Sequence, residues 1–155
     1  VVIEDEERPV SRIVSSTNVF LSSQTVEWAT PQGVFDKLND EFGFTIDVAA
    51  TPTNTKCPRF YTIDDDSLSQ SWDRETVWCN PPYGPQLTHW VYKAATSAAT
   101  VVMLVPARTD VKWFHNYVLG RADIRFIKGR LTFGEAKDPA PFPCMLLIFR
   151  NEGIA

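Results

Sequence analysis

Asn80, Pro81, Pro82, Tyr83 and Gly84 bring together residue types that can hold an amine for chemistry. Asn80 offers a side-chain carbonyl oxygen as acceptor. Each proline fixes its φ and lacks an N–H, so nearby carbonyls stay open to accept from elsewhere. Tyr83 adds a flat face on which a ring can stack. Such a corner suits a planar group bearing an exocyclic amine, with oxygens taking its hydrogens and an aromatic covering its face. An amine conjugated to a ring is a poor nucleophile. If Asn80 Oδ1 and the Pro81 carbonyl accept its two N–H bonds, they favour the charge that develops as nitrogen becomes tetrahedral. That is stabilisation of the transition state rather than of the ground state.

The elements that must carry this corner lie on both sides of it. Thr76-Val77-Trp78-Cys79 predicts a short buried strand leading into Asn80. Upstream, Thr30 suits a helix N-cap and Pro31 the first helical position. Val34, Phe35, Leu38 and Phe42 follow at helical spacing, and Gly43 stops the helix. Residues 44–48 read as a buried strand carrying Asp47 near its end. Ligands of open α/β sheets bind at the carboxyl ends of strands. Asp47 there either accepts from a bound ammonium or hydroxyl or closes an Asx-turn. Residues 51–58 are a loop and 59–62 a short strand. Asp64-Asp65-Asp66-Ser67-Leu68 is either a solvated turn or a source of one ligand-binding acid. The gap from Asp47 to Asn80 is too short for a full crossover helix.

Downstream, residues 86–99 predict a helix whose packed face holds Leu87, Trp90, Val91, Ala94, Ala95 and Ala98, with His89 at its surface. Residues 101–105 form a continuous apolar run of the parallel-sheet kind, ending at Pro106-Ala107-Arg108. Residues 111–119 read as helix, with Trp113, Phe114 and Tyr117 in the core and Gly120 closing it. Residues 124–128 alternate as a half-exposed strand does, and 129–133 continue as a strand or turn. A Pro-rich loop at 136–143 precedes a last strand at 144–149. Alternating strands and helices give an α/β domain with a central, mainly parallel sheet covered on both faces. No G-x-G-x-x-G is present. Asp47-Val48-Ala49-Ala50 stands where small side chains would let the backbone approach a ligand.

Five stretches in order carry a resemblance. They are Glu27-Trp28-Ala29-Thr30-Pro31, Asp47-Val48-Ala49-Ala50, the Asn80 to Gly84 corner, Pro106-Ala107-Arg108-Thr109-Asp110, and Gly129-Arg130-Leu131-Thr132-Phe133. Together they resemble the phage-type DNA N6-adenine methyltransferase family, over roughly residues 26–150. The resemblance implies a trimmed Rossmann-like methyltransferase fold with an antiparallel last strand. It implies S-adenosylmethionine as methyl donor and N6 of a flipped adenine in DNA as acceptor, with Asn80, Pro81, Pro82 and Tyr83 catalytic. Trp28, Thr30 and Pro31 would line the methionine end of the cofactor. Asp47, Val48 and Ala49 would lie under it, Asp66 and Leu68 would meet its adenine, and Asn80 would contact the cofactor as well. Asp64 is a weak candidate for its ribose. Arg108, Lys128 and Arg130, with Tyr83, are candidates for contacts to the nucleic acid. Stacking a flipped base on Tyr83 would return about 1–3 kcal/mol of the cost of extracting it. Two alternatives stay open: an amino-methyltransferase acting on RNA adenine, cytosine N4 or a glutamine amide, and a non-catalytic binding module on the same scaffold.

Length and composition set the frame. The chain has 155 residues, about one domain, and 44% apolar content, enough for a core. Its net charge is −4, with 15 basic and 19 acidic residues, which argues against a non-specific nucleic-acid coat. Glu4, Asp5, Glu6 and Glu7 against Arg8 hold most of that excess, so the body is nearly neutral. Residues 1–21 read as a flexible arm, or as a segment that closes over a ligand or partner. Residues 22–155 read as one methyltransferase domain. The three cysteines, Cys57, Cys79 and Cys144, fit free thiols in a reducing compartment. No metal is expected, since His89 and His115 stand at no ligand spacing to them. No membrane span or signal segment is visible, so a cytoplasmic protein is expected, in the host cytoplasm if phage-derived. With no evident target-recognition domain, recognition falls to a few loop residues, to a homodimer or to a partner subunit. Loose or very short sequence specificity follows.

Overall fold

The computed structural model describes residues 29–153. Five strands form one sheet: β1 Ile46–Asp47, β2 Thr76–Cys79, β3 Thr100–Pro106, β4 Asp123–Phe126 and β5 Cys144–Arg150. Their spatial order is β1-β2-β3-β5-β4. β1, β2 and β3 run parallel, and β5 is antiparallel to both β3 and β4. The expectation of a mainly parallel sheet with an antiparallel last strand holds.

β3 shows why the sheet is covered twice. Val101, Met103 and Val105 face one core; Val102 and Leu104 face the other. This alternation follows from the two-residue period of a strand. Helix α1 (Gln32–Phe42) lays Phe35 and Leu38 on the second face, against Trp78, Leu104 and Leu146. Helix α2 (Leu87–Thr96) lays Leu87, Trp90, Val91 and Ala94 on the first. Each large apolar side chain buried this way contributes about 1.5–3 kcal/mol. α1 ends as expected: Gly43 takes φ 67°, and its N–H donates to the Asn39 carbonyl.

Several expected elements differ. α1 begins at Gln32, with Pro31 as its N-cap and no side-chain cap. Thr30 is therefore not the cap, and its hydroxyl is engaged elsewhere, as described below. The strand expected over 44–48 is only two residues long. The strand expected over 59–62 is a single bridge between Asp47 and Phe60. There Asp47 N–H donates to the Arg59 carbonyl (3.1 Å) and Tyr61 N–H to the Asp47 carbonyl (2.9 Å). α2 stops at Thr96, three residues early: Ser97 turns to extended backbone (ψ 140°) and its hydroxyl bonds the Lys93 carbonyl. Residues 114–118 wind as a π-helical turn rather than the expected α-helix, with Leu119 N–H returning to the Phe114 carbonyl (2.9 Å). The wide turn still buries Trp113, Phe114 and Val118. Residues 129–133 form no strand. The Leu131 carbonyl instead accepts from Ala140 N–H, and Gly134, just beyond the stretch, donates to the Ala29 carbonyl.

No helix among the described residues is long and apolar enough to cross a membrane. Cys57, Cys79 and Cys144 are buried free thiols. Among the described residues no cluster of three or more His, Cys, Asp or Glu side chains could hold a metal ion.

Candidate active site

The carboxyl ends of β1 and β2 open on a cavity of about 220 Å3. One wall is the corner after β2, formed by Asn80, Pro81, Pro82 and Tyr83, with Gln86 and Trp90 beyond it. The other wall is the crossover after β1, formed by residues 47–50, Asn54, Lys56 and residues 62–63 and 66–68. Ala29 and Thr30 close one end.

Asn80 is held on two sides. Its Nδ2 donates to Thr30 Oγ1 (3.1 Å), and its Oδ1 accepts from the Tyr83 hydroxyl (2.8 Å). The first bond explains why Thr30, buried at 4% exposure, does not cap α1. Its oxygen orients the amide of a residue fifty positions later. The Tyr83 hydroxyl also lies 3.1 Å from the Leu104 carbonyl of β3. Burial, followed by the Cys144 and Cys79 sulfurs, holds the Tyr83 phenol well above its usual range, so it remains a donor. Its ring is half-buried and meets Phe142 (5.7 Å) and Phe133 (6.4 Å) edge-on. Gly84 follows at φ 127°, a conformation that side-chain-bearing residues avoid, so the corner can turn into α2.

Asp47 is 3% exposed and serves two ends at once. Oδ1 accepts from Ala49 N–H (3.3 Å), an Asx-type bond, and Oδ2 from Lys56 N–H (2.9 Å). The carboxylate also lines the cavity. Burial pushes its pKa up, and the two backbone donors pull against that shift. The turn and ligand readings of Asp47 are therefore compatible. Within the acid run, Asp65 caps the 3-10 turn Ile63–Asp65, since the Thr62 N–H donates to its Oδ2 (2.7 Å). Asp66 sits at φ 48° between that turn and the next (Ser67–Ser69) and reaches the cavity. Asp64 is exposed and does not line it.

The cavity thus gathers Thr30, Asp47, Val48, Ala49, Asp66, Leu68, Asn80, Pro81, Pro82 and Tyr83. Pro31 lies behind Thr30 at the start of α1, outside the lining. Trp28 lies outside the described residues, as does the expected N-terminal arm. Arg108 is half-buried beyond β3. Lys128 and Arg130 are exposed on the loop after β4, where Arg130 Nη1 donates to the Ala140 carbonyl (3.4 Å). None of the three lines the cavity. His89 is exposed, as expected of a surface histidine.

Among the lining residues to which the sequence assigns no role are Lys56, Ile63, Gln86 and Trp90. Trp90 showed only its helical spacing. Ile63 carries the one available signal, an aliphatic residue embedded among polar ones, and it is 93% exposed at the cavity rim.

The model of the family described as DNA N-6-adenine-methyltransferase (Dam) matches residues 17–152. The chain belongs to that family. A DNA N-6-adenine-methyltransferase of Haemophilus phage HP1 (strain HP1c1) is 32% identical over 133 residues, covering 79% of this chain and 77% of that protein. A protein of the same name from Escherichia phage T1 is 32% identical over 111 residues, covering 68% of this chain but 46% of that protein. Every part of the described cavity falls within the family match.

Proposed function

We propose that this chain methylates the N6 amine of adenine in DNA, with S-adenosylmethionine as donor and the target base flipped into the cavity. One observation carries the reading beyond family membership. Asn80 is fixed by Thr30 and Tyr83 at the edge of a cavity that also holds two acids, Asp47 and Asp66.

The cavity suits the donor. The two carboxylates match a ligand with an ammonium, hydroxyls and an amino group. Ala49 and Ala50 leave the backbone approachable, and Leu68 and Ile63 offer apolar cover. Thr30 would lie at the methionine end with Trp28 and Pro31, Asp47 with Val48 and Ala49 beneath, and Asp66 with Leu68 at the adenine end. When bound, S-adenosylmethionine supplies an electrophilic methyl on a sulfonium.

The rest of the chemistry belongs to this chain. Asn80 Oδ1 and the Pro81 carbonyl accept hydrogen bonds from the two N–H groups of the target amine and favour the cationic nitrogen as it forms, which then loses one proton to water. Tyr83 makes that exchange cheap. A phenol carries one proton, and here two acceptors compete for it, Asn80 Oδ1 and the Leu104 carbonyl. When an incoming amine takes Asn80 Oδ1, the phenol turns fully to Leu104 and no buried donor is stranded. The Tyr83 ring covers the flipped base. Arg108, Lys128 and Arg130 contact phosphates, which positions the duplex without reading its sequence. The chain acts as a single catalytic domain in a Rossmann-like methyltransferase arrangement. Its target specificity is loose, or is supplied by a second copy or a partner subunit.

The test is transfer of label from methyl-labelled S-adenosylmethionine to DNA, RNA and protein in turn, followed by digestion to nucleosides. The expected product is N6-methyladenine from DNA alone. Label in RNA, in cytosine or in a protein amide would move the assignment to another amine.

A further inference from the structure

Lys56 brings the one cationic side chain to the cavity lining among the described residues; the other charged residues there are Asp47 and Asp66. Both ends of Lys56 are held. At its root, the backbone N–H donates to Asp47 Oδ2 (2.9 Å). At its tip, Nζ donates to Gln32 Oε1 (2.8 Å), and Gln32 Nε2 donates onward to Asp36 Oδ1 (2.8 Å). Lys56 therefore reaches from the crossover after β1 to the first residue of α1, two positions beyond the buried, cavity-lining Thr30. Burial raises the Asp47 pKa, and the Lys56 charge is among the influences that oppose it, so the ammonium is within electrostatic reach of that carboxylate.

The contact with Gln32 is exposed, so a ligand can reach Nζ. An amide oxygen is a neutral acceptor, and an ammonium bonds a carboxylate about twice as strongly. It also has three donors, so it can take an anion and keep Gln32. The head of a helix favours negative charge as well. The amino-acid end of S-adenosylmethionine carries an α-ammonium and an α-carboxylate. Asp47 and Asp66 answer cations and hydrogen-bond donors, and they repel a carboxylate. Acids alone would hold a donor stripped of its carboxylate as well as the intact one, or better. We propose that Lys56 reads the amino-acid carboxylate of the donor: Nζ pairs with it at the α1 end of the cavity and selects the intact amino-acid form over forms that lack it. This rests on S-adenosylmethionine being the donor, and the experiment separates the two.

Calorimetric binding is measured for S-adenosylhomocysteine and for its decarboxylated analogue, which keeps the amine, with the full natural chain and with Lys56→Met. Methionine keeps an unbranched stem and the backbone N–H to Asp47 and removes the charge. The natural protein should bind the analogue about tenfold more weakly than the parent compound. Lys56→Met should bind the parent about tenfold more weakly than the natural protein does, and the analogue equally well or better, so the preference vanishes or reverses. Lys56→Arg should restore it in part. Equal binding of both compounds by the natural protein overturns the inference and leaves the donor assignment standing. So does a preference that survives in Lys56→Met. Unchanged S-adenosylhomocysteine affinity in Lys56→Met with a raised KM for DNA would give Lys56 to a phosphate instead and overturn it too. If S-adenosylhomocysteine fails to bind the natural protein, the donor assignment falls and this inference falls with it.

Discussion

The two walls of the cavity are built on opposite plans. The corner after β2 is short and fixed. It leaves a strand paired on both sides, contains two prolines, and locks its amide between Thr30 and Tyr83. The crossover after β1 spans residues 48–75 with no α-helix. Its regular parts are two 3-10 turns and a single bridge to Phe60. Under the proposed function, the difference separates two tasks. Transition-state stabilisation needs donors and acceptors set before the substrate arrives. Holding a cofactor tolerates a wall of irregular turns that settles around its ligand.

Four substitutions test that division, from the largest effect to the smallest. Trp72 anchors the crossover: it is 1% exposed, packs in the core, and its Nε1–H bonds Ser67. Trp72→Ala should lose about 3–5 kcal/mol of stability in urea or thermal unfolding. In the folded fraction, cofactor affinity should fall more than the rate constant of the bound complex. A loss confined to the rate would dissolve the contrast. Asn80→Ala should do the reverse. The barrier to transfer should rise by about 2–4 kcal/mol, by analogy with losing one preorganised polar group, with cofactor affinity and melting temperature nearly unchanged. Single-turnover rates with saturating cofactor give the answer.

Tyr83→Phe keeps the ring and removes one hydrogen bond, worth about 1 kcal/mol. The expected result is a several-fold slower transfer and a slight loss of stability. An unchanged rate would mean that Asn80 needs only Thr30 to orient it. Asp47→Asn separates stability from binding by its pH dependence. Burial raises the Asp47 pKa in the folded state. Its ionised form is therefore a cost to folding, absent below the unfolded pKa and fully present above the folded one. The variant's NH2 must face one of two buried N–H donors, so it should melt below the natural protein. That deficit should be smallest at neutral pH and widen as pH falls through the folded Asp47 pKa. Cofactor affinity should drop at every pH where Asp47 is charged.

The same contrast explains what was legible in the sequence. The continuous run Val101 to Val105, the strand from Cys144 and the face of α2 announce themselves, because burial on both sides of a sheet demands uninterrupted apolar residues. Asn80 to Gly84 was legible because its residue types constrain the backbone directly. The crossover was not, because one rung of pairing and two short turns leave no periodicity to detect. Asp47 looked ambiguous between a turn and a ligand group, and its two oxygens meet the backbone while the residue lines the cavity. Thr30 before Pro31 had the signature of a helix cap. Its true partner, Asn80, is set by tertiary proximity that no local pattern encodes. Trp90 reads only as packing, since helical spacing reports the buried face and not which cavity a ring borders.

Phe142 sits within the loop at 136–143, yet its ring meets both Tyr83 and Phe133, in contacts of 5.7 and 6.4 Å. An aromatic peg thus ties that loop to the corner after β2, beside its backbone bonds at Ala140 and Pro143. Descendants of this chain could lengthen it or rewrite its tip to meet new partners, so long as the peg stays seated. A change that unseats it would disturb chemistry and recognition together.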